Sequence, residues 1–354
     1  MKLSTTLIVK DELENLKSLI PILKQFSDEI VVVDTGSKDG TLEFLSLDKE
    51  IVLKQIKWEY NFSKARNYSL SLATKDFILW IDADDRITEE NIEKLNLIKS
   101  KLNSKKLYFI KLLNQADSTI SYQLRIFPNN RDIHFKYPVH EQITYPEQIY
   151  QIEFTNIEIV HIGYNNREDL EKKQVRNLKI LENIEKKDYY INLQIAESYK
   201  ILKKYINALK FFKKALNDPE IAEKNRELVG YILSEIYTIL NLIGQESEAY
   251  SYLKIADDFS EFFPVIKYLL GKAFYKKNQL DKALSYFNEF LILHKNKIYF
   301  NPVPLKLEDS ALYFIAKINI KMNNLETAKN ILKYLLKKYP ENKSYLRELK
   351  NATK

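Results

Sequence analysis

Two short runs of β-branched residues, separated by a helical pattern, constrain the fold of this chain more than any other feature. The runs are STTLIV at residues 4–9 and EIVVVD at residues 29–34, and the segment between them carries leucine and isoleucine at helical spacing. A strand, a helix and a strand in this order predict a βαβ unit, because a parallel pair needs a crossover connection. We therefore expect an α/β domain in the N-terminal part of the chain.

Acidic residues follow two of the predicted strands. The second strand ends at Asp34, and a later one, Phe77–Asp82, ends in an acidic run that continues through Asp84 and Asp85. Ligands of open α/β sheets bind outside the carboxyl ends of the strands, so Asp34 and Asp82 are expected to face one cleft. Clustered carboxylates repel one another, and Mg²⁺ or Mn²⁺ takes oxygen ligands and bridges carboxylates to phosphates. The acidic run therefore predicts a metal and diphosphate site.

Composition narrows the class of protein. The chain has 354 residues, enough for two or three domains, and contains no cysteine, which excludes disulfides and thiolate zinc sites. The N-terminal apolar run is too short for a signal peptide, and no window reaches the ~18 apolar residues of a membrane span. We expect a cytoplasmic protein without a transmembrane segment.

The net charge of +7 resides in the C-terminal half. Residues 1–165 carry 21 basic and 24 acidic side chains, whereas residues 166–354 carry 34 and 24. This excess of positive charge could attract an acidic partner over long range. Lysine side chains on solvent-exposed faces of helices are the simpler explanation. The basic residues are not interleaved with an RNA-binding aromatic motif, so no nucleic acid partner is expected.

The C-terminal half contains an internal repeat. Small and aromatic residues recur there at tetratricopeptide spacing, and the equivalent alanines are 41, 34 and 45 residues apart, namely Ala208, Ala249, Ala283 and Ala328. These repeats have a period of about 34 residues, so extra residues between copies are expected to form loops or longer helices. Residues 189–354 are predicted to form an all-α helical solenoid with a concave binding surface, and residues 166–188 a connecting helix.

Four N-terminal segments resemble a known enzyme family. TLIVKDELENL, EIVVVDTGSKDGT, FSKARNYSL and FILWIDADD, in this order and spacing, are similar to family 2 glycosyltransferases with the GT-A fold, a Rossmann-like α/β fold. The most similar subgroup carries C-terminal tetratricopeptide repeats and includes peptide S-glycosyltransferases of the sublancin type. The resemblance covers residues 1–165 and implies a nucleotide-sugar donor such as a UDP-sugar, a divalent metal, and inversion at the anomeric carbon.

The resemblance also implies a metal site. Asp84, together with Asp85 or Asp82, would hold Mg²⁺ or Mn²⁺, and His161 resembles a late family histidine that completes such a site through its imidazole. Asp82 is also a candidate for binding a ribose hydroxyl. Alternatively, the acids cap the next helix and His161 is a satisfied histidine at a strand end.

Further contacts to the nucleotide sugar are implied for Asp34, Arg66 and Glu12. Asp34 corresponds to the family acid that reaches the base or ribose, although Thr35 stands where many members have a second acid. Arg66 matches an arginine near the diphosphate, a target that suits a planar guanidinium. Alternatively, Asp34 is a turn former and Arg66 forms a surface ion pair.

Inversion by direct displacement requires a general base for the acceptor. In the related subgroup a histidine–glutamate pair follows an RLF-like motif, represented here by Arg125–Phe127 and then His140 and Glu141. Glu141 or His140 is the predicted base, and a polar loop pair is the alternative.

These observations predict an inverting, metal-dependent glycosyltransferase whose repeats recruit a peptide or protein acceptor with a reactive Ser, Thr or Cys side chain. One alternative is a saccharide acceptor in surface polysaccharide synthesis. Another is a non-catalytic repeat scaffold with a degenerate transferase domain. A homodimer is compatible with the sequence.

Overall fold

The computed structural model describes residues 1–116, 118–163, 167–295 and 297–353. By its internal contacts the chain divides into two compact units, Met1–Glu185 and Lys186–Lys354. The predicted boundary between residues 165 and 166 lies outside the described residues. The helix that follows it belongs to the first unit.

The first unit combines strands and helices in an α/β arrangement. Its strands are β1 (Leu3–Val9), β2 (Glu29–Asp34), β3 (Ile51–Gln55), β4 (Phe77–Trp80), β5 (Asp85–Arg86), β6 (Lys106–Asn114), β7 (Thr119–Pro128), β8 (His134–Lys136), β9 (Gln142–Thr144) and β10 (Gln151–His161). Its helices are α1 (Leu13–Leu23), α2 (Thr41–Ser46), α3 (Phe62–Leu72), α4 (Glu89–Lys99) and α5 (Arg167–Glu182).

These strands, apart from the separate β8–β9 pair, form one mixed sheet in the order β3-β2-β1-β4-β7-β6-β10-β5. The first four are parallel, as the βαβ pattern predicts. Beyond β4, strand β7 is antiparallel to both neighbours, and β10 is parallel to β6. Strand β5 is antiparallel to β10 and pairs Asp85 with His161. Residues 76 apart in the chain thus meet at one sheet edge.

The strand that leads into the acidic run ends earlier than predicted. Strand β4 stops at Trp80 instead of Asp82, although the Ile81 amide still donates to the Thr6 carbonyl at 3.1 Å. Leu79 and Ile81 are fully buried on either side of this point. Asp82 and Asp84 therefore lie in a loop that leaves the buried sheet.

The second unit consists mainly of helices. They are α6 (Tyr189–Ile201), α7 (Tyr205–Leu216), α8 (Pro219–Lys224), α9 (Arg226–Leu242), α10 (Glu246–Ala256), α11 (Val265–Lys276), α12 (Leu280–His294), α13 (Leu307–Lys321), α14 (Leu325–Lys338) and α15 (Lys343–Thr353), with a 3-10 turn at Asp257–Phe259 and a short extended segment, β11 (Val303–Pro304).

The predicted tetratricopeptide-like solenoid is confirmed. The equivalent alanines at 208, 249, 283 and 328 are fully buried in the second helices of four successive pairs, α6–α7, α9–α10, α11–α12 and α13–α14. Gly271 shows why small residues are needed, because a Cβ atom there would lie 2.8 Å from the Phe287 ring. Within the described ranges, no helix is long and apolar enough to cross a membrane.

Candidate active site

A cavity of about 570 Å³ opens beside the carboxyl ends of β1 and β4. Its wall includes Lys10 and Glu12 after β1, Thr35 after β2, and Asp82 and Asp84 after β4. The edge of a parallel sheet is the expected ligand site in this class of fold. The cavity is therefore the candidate active site.

Four ionisable residues form a cluster, and three of them, Asp82, Asp84 and His161, line this cavity. One ligand atom each from Asp82, Asp84, Asp85 and His161 lies within 4.8 Å of the others. The loop after β4 supplies the first two residues, and the β5–β10 pairing supplies the other two. The Ile162 amide donates to the Asp84 carbonyl at 3.1 Å, which fixes the loop against the end of β10.

Asp85 is completely buried and behaves as a support for its neighbours. Its Oδ2 atom accepts a bond from Arg125 Nη1 at 3.0 Å and one from the Asp82 amide at 3.0 Å. Its Oδ1 atom lies 2.9 Å from Nδ1 of His161. Both oxygens of Asp85 thus have partners within the site, and the direct metal contact inferred from the sequence stays a prediction.

Two arginines hold the carboxylate of Asp82. Arg66 Nη2 lies 2.6 Å from its Oδ1 atom, and Arg125 Nη2 lies 3.7 Å from its Oδ2 atom. Burial alone would raise the pKa of Asp82, but the two guanidinium groups outweigh it and hold that pKa well below its usual range. Asp82 is therefore ionised at neutral pH.

Arg66 lies between two carboxylates of the site. Its guanidinium is buried between Asp82 and Glu141, and its Nε donates to Glu141 Oε1. The guanidinium carbon of Arg66 also lies 4.5 Å from the ring centroid of Trp80, and the guanidinium carbon of Arg125 lies 3.7 Å from the same centroid. Arg66 therefore joins two parts of the site and also lines the cavity, and its contact with a diphosphate stays a prediction.

Asp84 and His161 form the pair best suited to a metal ion. His161 Nε2 lies 3.4 Å from Asp84 Oδ2, while Asp85 engages the opposite ring nitrogen. Two atoms that share a divalent ion at about 2 Å each lie roughly 3 Å apart, so the spacing fits. A carboxylate and an imidazole together suit Mn²⁺.

The pKa values of this pair reflect crowding of charge. Burial raises the pKa of Asp84, and the charges of Asp82 and Asp85 add to that effect, while His161 opposes it. Burial would lower the pKa of His161, but the hydrogen bond to Asp85 and the nearby carboxylates raise it. A divalent cation between Asp84 and His161 would relieve the repulsion among the acids.

Glu12 lines the cavity, as predicted for a donor contact. Burial raises its pKa, opposed by a 2.7 Å bond from Asn15 and assisted by Asp84. Asp34, in contrast, is fully buried and accepts bonds from the Gly36 and Ser37 amides in its own turn. Asp34 also accepts a bond from Gln55 at 3.2 Å and is not among the residues that line the cavity, so its contact with the nucleotide stays a prediction.

The predicted base pair lies on a loop that α3 anchors. The Phe62 amide donates to the Pro138 carbonyl at 2.7 Å, and Ser63 Oγ donates to the Tyr137 carbonyl. His140 and Glu141 follow on this loop and both line the cavity. His140 has a φ of 52°, a left-handed conformation that is uncommon for residues other than glycine and often marks functional sites.

Helix α5 contributes side chains to the cavity wall, although the sequence predicted only a connecting helix at residues 166–188. Lys173, Arg176 and Asn177 line the cavity, and Asn177 Nδ2 lies 3.4 Å from His140 Nε2. Arg125 was also missed as a functional residue, because it entered only as part of a motif. The available signal was a single cation between apolar residues of a predicted strand, Leu124 and Ile126.

Comparisons with known proteins agree with this geometry. Residues 7–98 match the family described as Glycosyl transferase family 2. The SPbeta prophage-derived glycosyltransferase SunS of Bacillus subtilis is 23% identical over 343 residues, which span 92% of this chain and 78% of SunS. A TPR repeat-containing protein of Synechococcus elongatus is 32% identical over 146 residues, 40% of this chain and 35% of that protein.

An α/β sheet with an acidic cluster at its carboxyl edge, followed by a helical repeat, is the architecture expected of a glycosyltransferase with a repeat domain. The family match assigns residues 7–98 to glycosyl transferase family 2. The protein is accordingly a glycosyltransferase, and the similarity to SunS extends through most of both chains.

Proposed function

We propose that the protein is an inverting, metal-dependent glycosyltransferase that moves a sugar from a nucleotide-sugar donor to a peptide or protein side chain. The observation that carries this proposal is the cluster of Asp82, Asp84, Asp85 and His161, of which all but the buried Asp85 line the cavity. Donors with a diphosphate leaving group need charge compensation there, and a divalent ion provides it.

Asp84 and His161 would hold Mn²⁺ or Mg²⁺, with Asp85 orienting the imidazole. When bound, the ion supplies Lewis-acid stabilisation of the diphosphate. Outer partners such as Asp85 fix the ring of a ligating histidine and its tautomer. Asp82, which is held ionised by two arginines, would accept a hydrogen bond from a donor hydroxyl.

Glu141 or His140 would remove the acceptor proton. Both residues line the cavity beside the acidic cluster. Arg66 links Glu141 to Asp82, because its Nε donates to Glu141 and its Nη2 lies 2.6 Å from Asp82 Oδ1. This linkage connects the predicted acceptor side to the donor side through one rigid guanidinium. A cysteine acceptor would need less help from a base, because a few per cent of a free thiol is ionised at neutral pH.

The peptide acceptor is inferred from the repeat domain. Stacked helix pairs present an extended surface on which a chain can lie. An acceptor sugar in polysaccharide synthesis is the competing substrate, and a non-catalytic scaffold is the competing class.

The test is a panel of nucleotide sugars incubated with mixed peptides and, separately, with saccharide acceptors, each with Mn²⁺ and with a chelator. We expect a peptide mass increase of one sugar residue that disappears with the chelator. Transfer to saccharide acceptors but not to peptides would show that the acceptor is a saccharide. Nucleotide binding with no turnover on any acceptor would favour the scaffold.

A further inference from the structure

Helix α5 presents a cationic face to the cavity. Lys173 precedes Arg176 by three residues and Asn177 by four, so the three side chains share one side of the helix. All three line the cavity that Asp84 and Glu141 also line. The sequence interpretation gave this helix no part in binding, and the family match ends before it, at residue 98.

The arginines on the sheet side of the cavity are already committed to carboxylates. Arg66 bonds to Asp82 and Glu141, and Arg125 bonds to Asp85 at 3.0 Å. A guanidinium that is paired in this way contributes little net positive charge toward a further anion. Beyond a bound divalent ion, positive charge toward a diphosphate therefore has to come from another element.

Lys173 and Arg176 both line the cavity, and contacts with Phe62 and Asn177 hold Arg176 there. The guanidinium carbon of Arg176 lies 5.4 Å from the centroid of the Phe62 ring, and its Nε and Nη2 atoms donate to Asn177 Oδ1 at 3.3 and 3.1 Å. Burial lowers the pKa of Lys173, and the charges of Asp84 and Asp82 oppose that shift. A partly desolvated ammonium group attracts an anion more strongly than a hydrated one.

We propose that Lys173 and Arg176 of α5 bind the diphosphate of the nucleotide sugar and of the nucleoside diphosphate product. This inference rests on the proposed function, because it assumes a diphosphate donor. During transfer the acceptor atom bonds to the anomeric carbon, its proton passes to the base, and the pair of the broken carbon–oxygen bond leaves with the diphosphate. Two cations beside the leaving group stabilise the extra negative charge.

The experiment measures binding by titration calorimetry in the presence of Mn²⁺, with UDP, GDP, ADP and TDP and with the matching nucleosides as probes. For the diphosphate that the wild-type protein binds most tightly, we expect Lys173→Met and Arg176→Met each to weaken affinity about tenfold or more. Affinity for the matching nucleoside should change less than twofold. Methionine retains an unbranched aliphatic stem and therefore most of the packing.

Two further variants sharpen the comparison. Lys173→Arg keeps the charge and should retain most of the affinity. Lys172→Met is the matched control, because Lys172 is the adjacent residue of α5, is exposed, and pairs with Glu168 at 2.8 Å. It should bind the diphosphate as the wild type does.

The outcomes separate this inference from the function on which it rests. If both methionine variants keep wild-type affinity for the diphosphate, the α5 assignment is overturned and the transferase proposal stands. Equal losses for the diphosphate and its nucleoside would also overturn it, since they would indicate general damage to the site. If the wild-type protein binds none of the four diphosphates, both proposals fail.

Discussion

The Oδ1 atom of Asp85 lies 2.9 Å from Nδ1 of His161, although the two residues are 76 positions apart in the chain. Strand β5 pairs with β10 at these two residues, so the contact is built into the edge of the sheet. It directs the other ring nitrogen toward Asp84, at 3.4 Å from Oδ2. The buried acid thus determines how the histidine faces the cavity.

Asp85→Asn should weaken Mn²⁺ binding without abolishing it. Loss of an outer partner of a ligating histidine typically costs about 10- to 100-fold in metal affinity. The measurement is a Mn²⁺ titration of the purified variant in the presence of the nucleoside diphosphate. An unchanged affinity would show that Asp85 does not orient His161 for the metal.

Asp84→Asn should abolish metal-dependent transfer, because it removes a charged ligand from the best-spaced pair in the cluster. The fold should survive, since the Asp84 carbonyl still accepts from Ile162. Transfer rates with Mn²⁺ and with a chelator, together with far-ultraviolet circular dichroism, measure both effects. Full activity in this variant would contradict the metal assignment.

Glu141→Gln should retain donor binding and lose transfer by roughly 100-fold or more, the usual contribution of a positioned base. Donor hydrolysis, donor affinity and transfer to the acceptor are measured side by side. His140→Gln is the companion variant, and the larger loss in transfer identifies the base. An unchanged transfer rate in both variants would show that neither Glu141 nor His140 is the general base.

Arg66→Lys should reduce transfer even though it preserves the charge. A lysine ammonium cannot bond simultaneously and in plane to Asp82 and Glu141, as the guanidinium does from Nη2 and Nε. Removing one partner of a buried ion pair typically costs 3–5 kcal/mol, so Arg66→Met should be the less stable of the two variants. The transfer rate is measured at a temperature where thermal unfolding shows Arg66→Lys to be fully folded. This separates a loss of transfer from a loss of stability. A wild-type transfer rate in Arg66→Lys would argue against a linking role.

Glu227→Ala should destabilise the repeat unit. Oε1 of Glu227 accepts bonds from the Phe300 and Asn301 amides, each at 3.0 Å, and from Asn301 Nδ2 at 2.9 Å. These bonds hold the segment before Pro302 against α9. Hydrogen bonds to a charged group typically contribute about 1.5–3 kcal/mol each, and we expect a total loss of at least that order. Urea unfolding measures the loss, and an exposed change such as Glu326→Ala is the control.

The sequence was sufficient to predict the parallel half of the sheet and the helical repeats. Both depend on local periodicity: the β-branched runs of β1 and β2, and the small residues such as Ala208 and Gly271 that recur along the solenoid. The acidic run after β4 was also predictable from the sequence, because its three carboxylates lie within four consecutive residues. Strand β4 was predicted two residues too long, since an apolar residue such as Ile81 continues the pattern after the sheet hydrogen bonding has changed.

The chain by itself therefore determined the class of fold, the family and the presence of an acidic cluster with one distant histidine. Only the tertiary structure decided how the charges are paired: Asp34 turned into its own loop, Arg66 between Asp82 and Glu141, and Asp85 behind His161. Local spacing cannot specify such pairing, because it depends on which strands become neighbours across the sheet and on burial, which makes each buried carboxylate take a partner. The same tertiary packing brought α5 to the cavity wall.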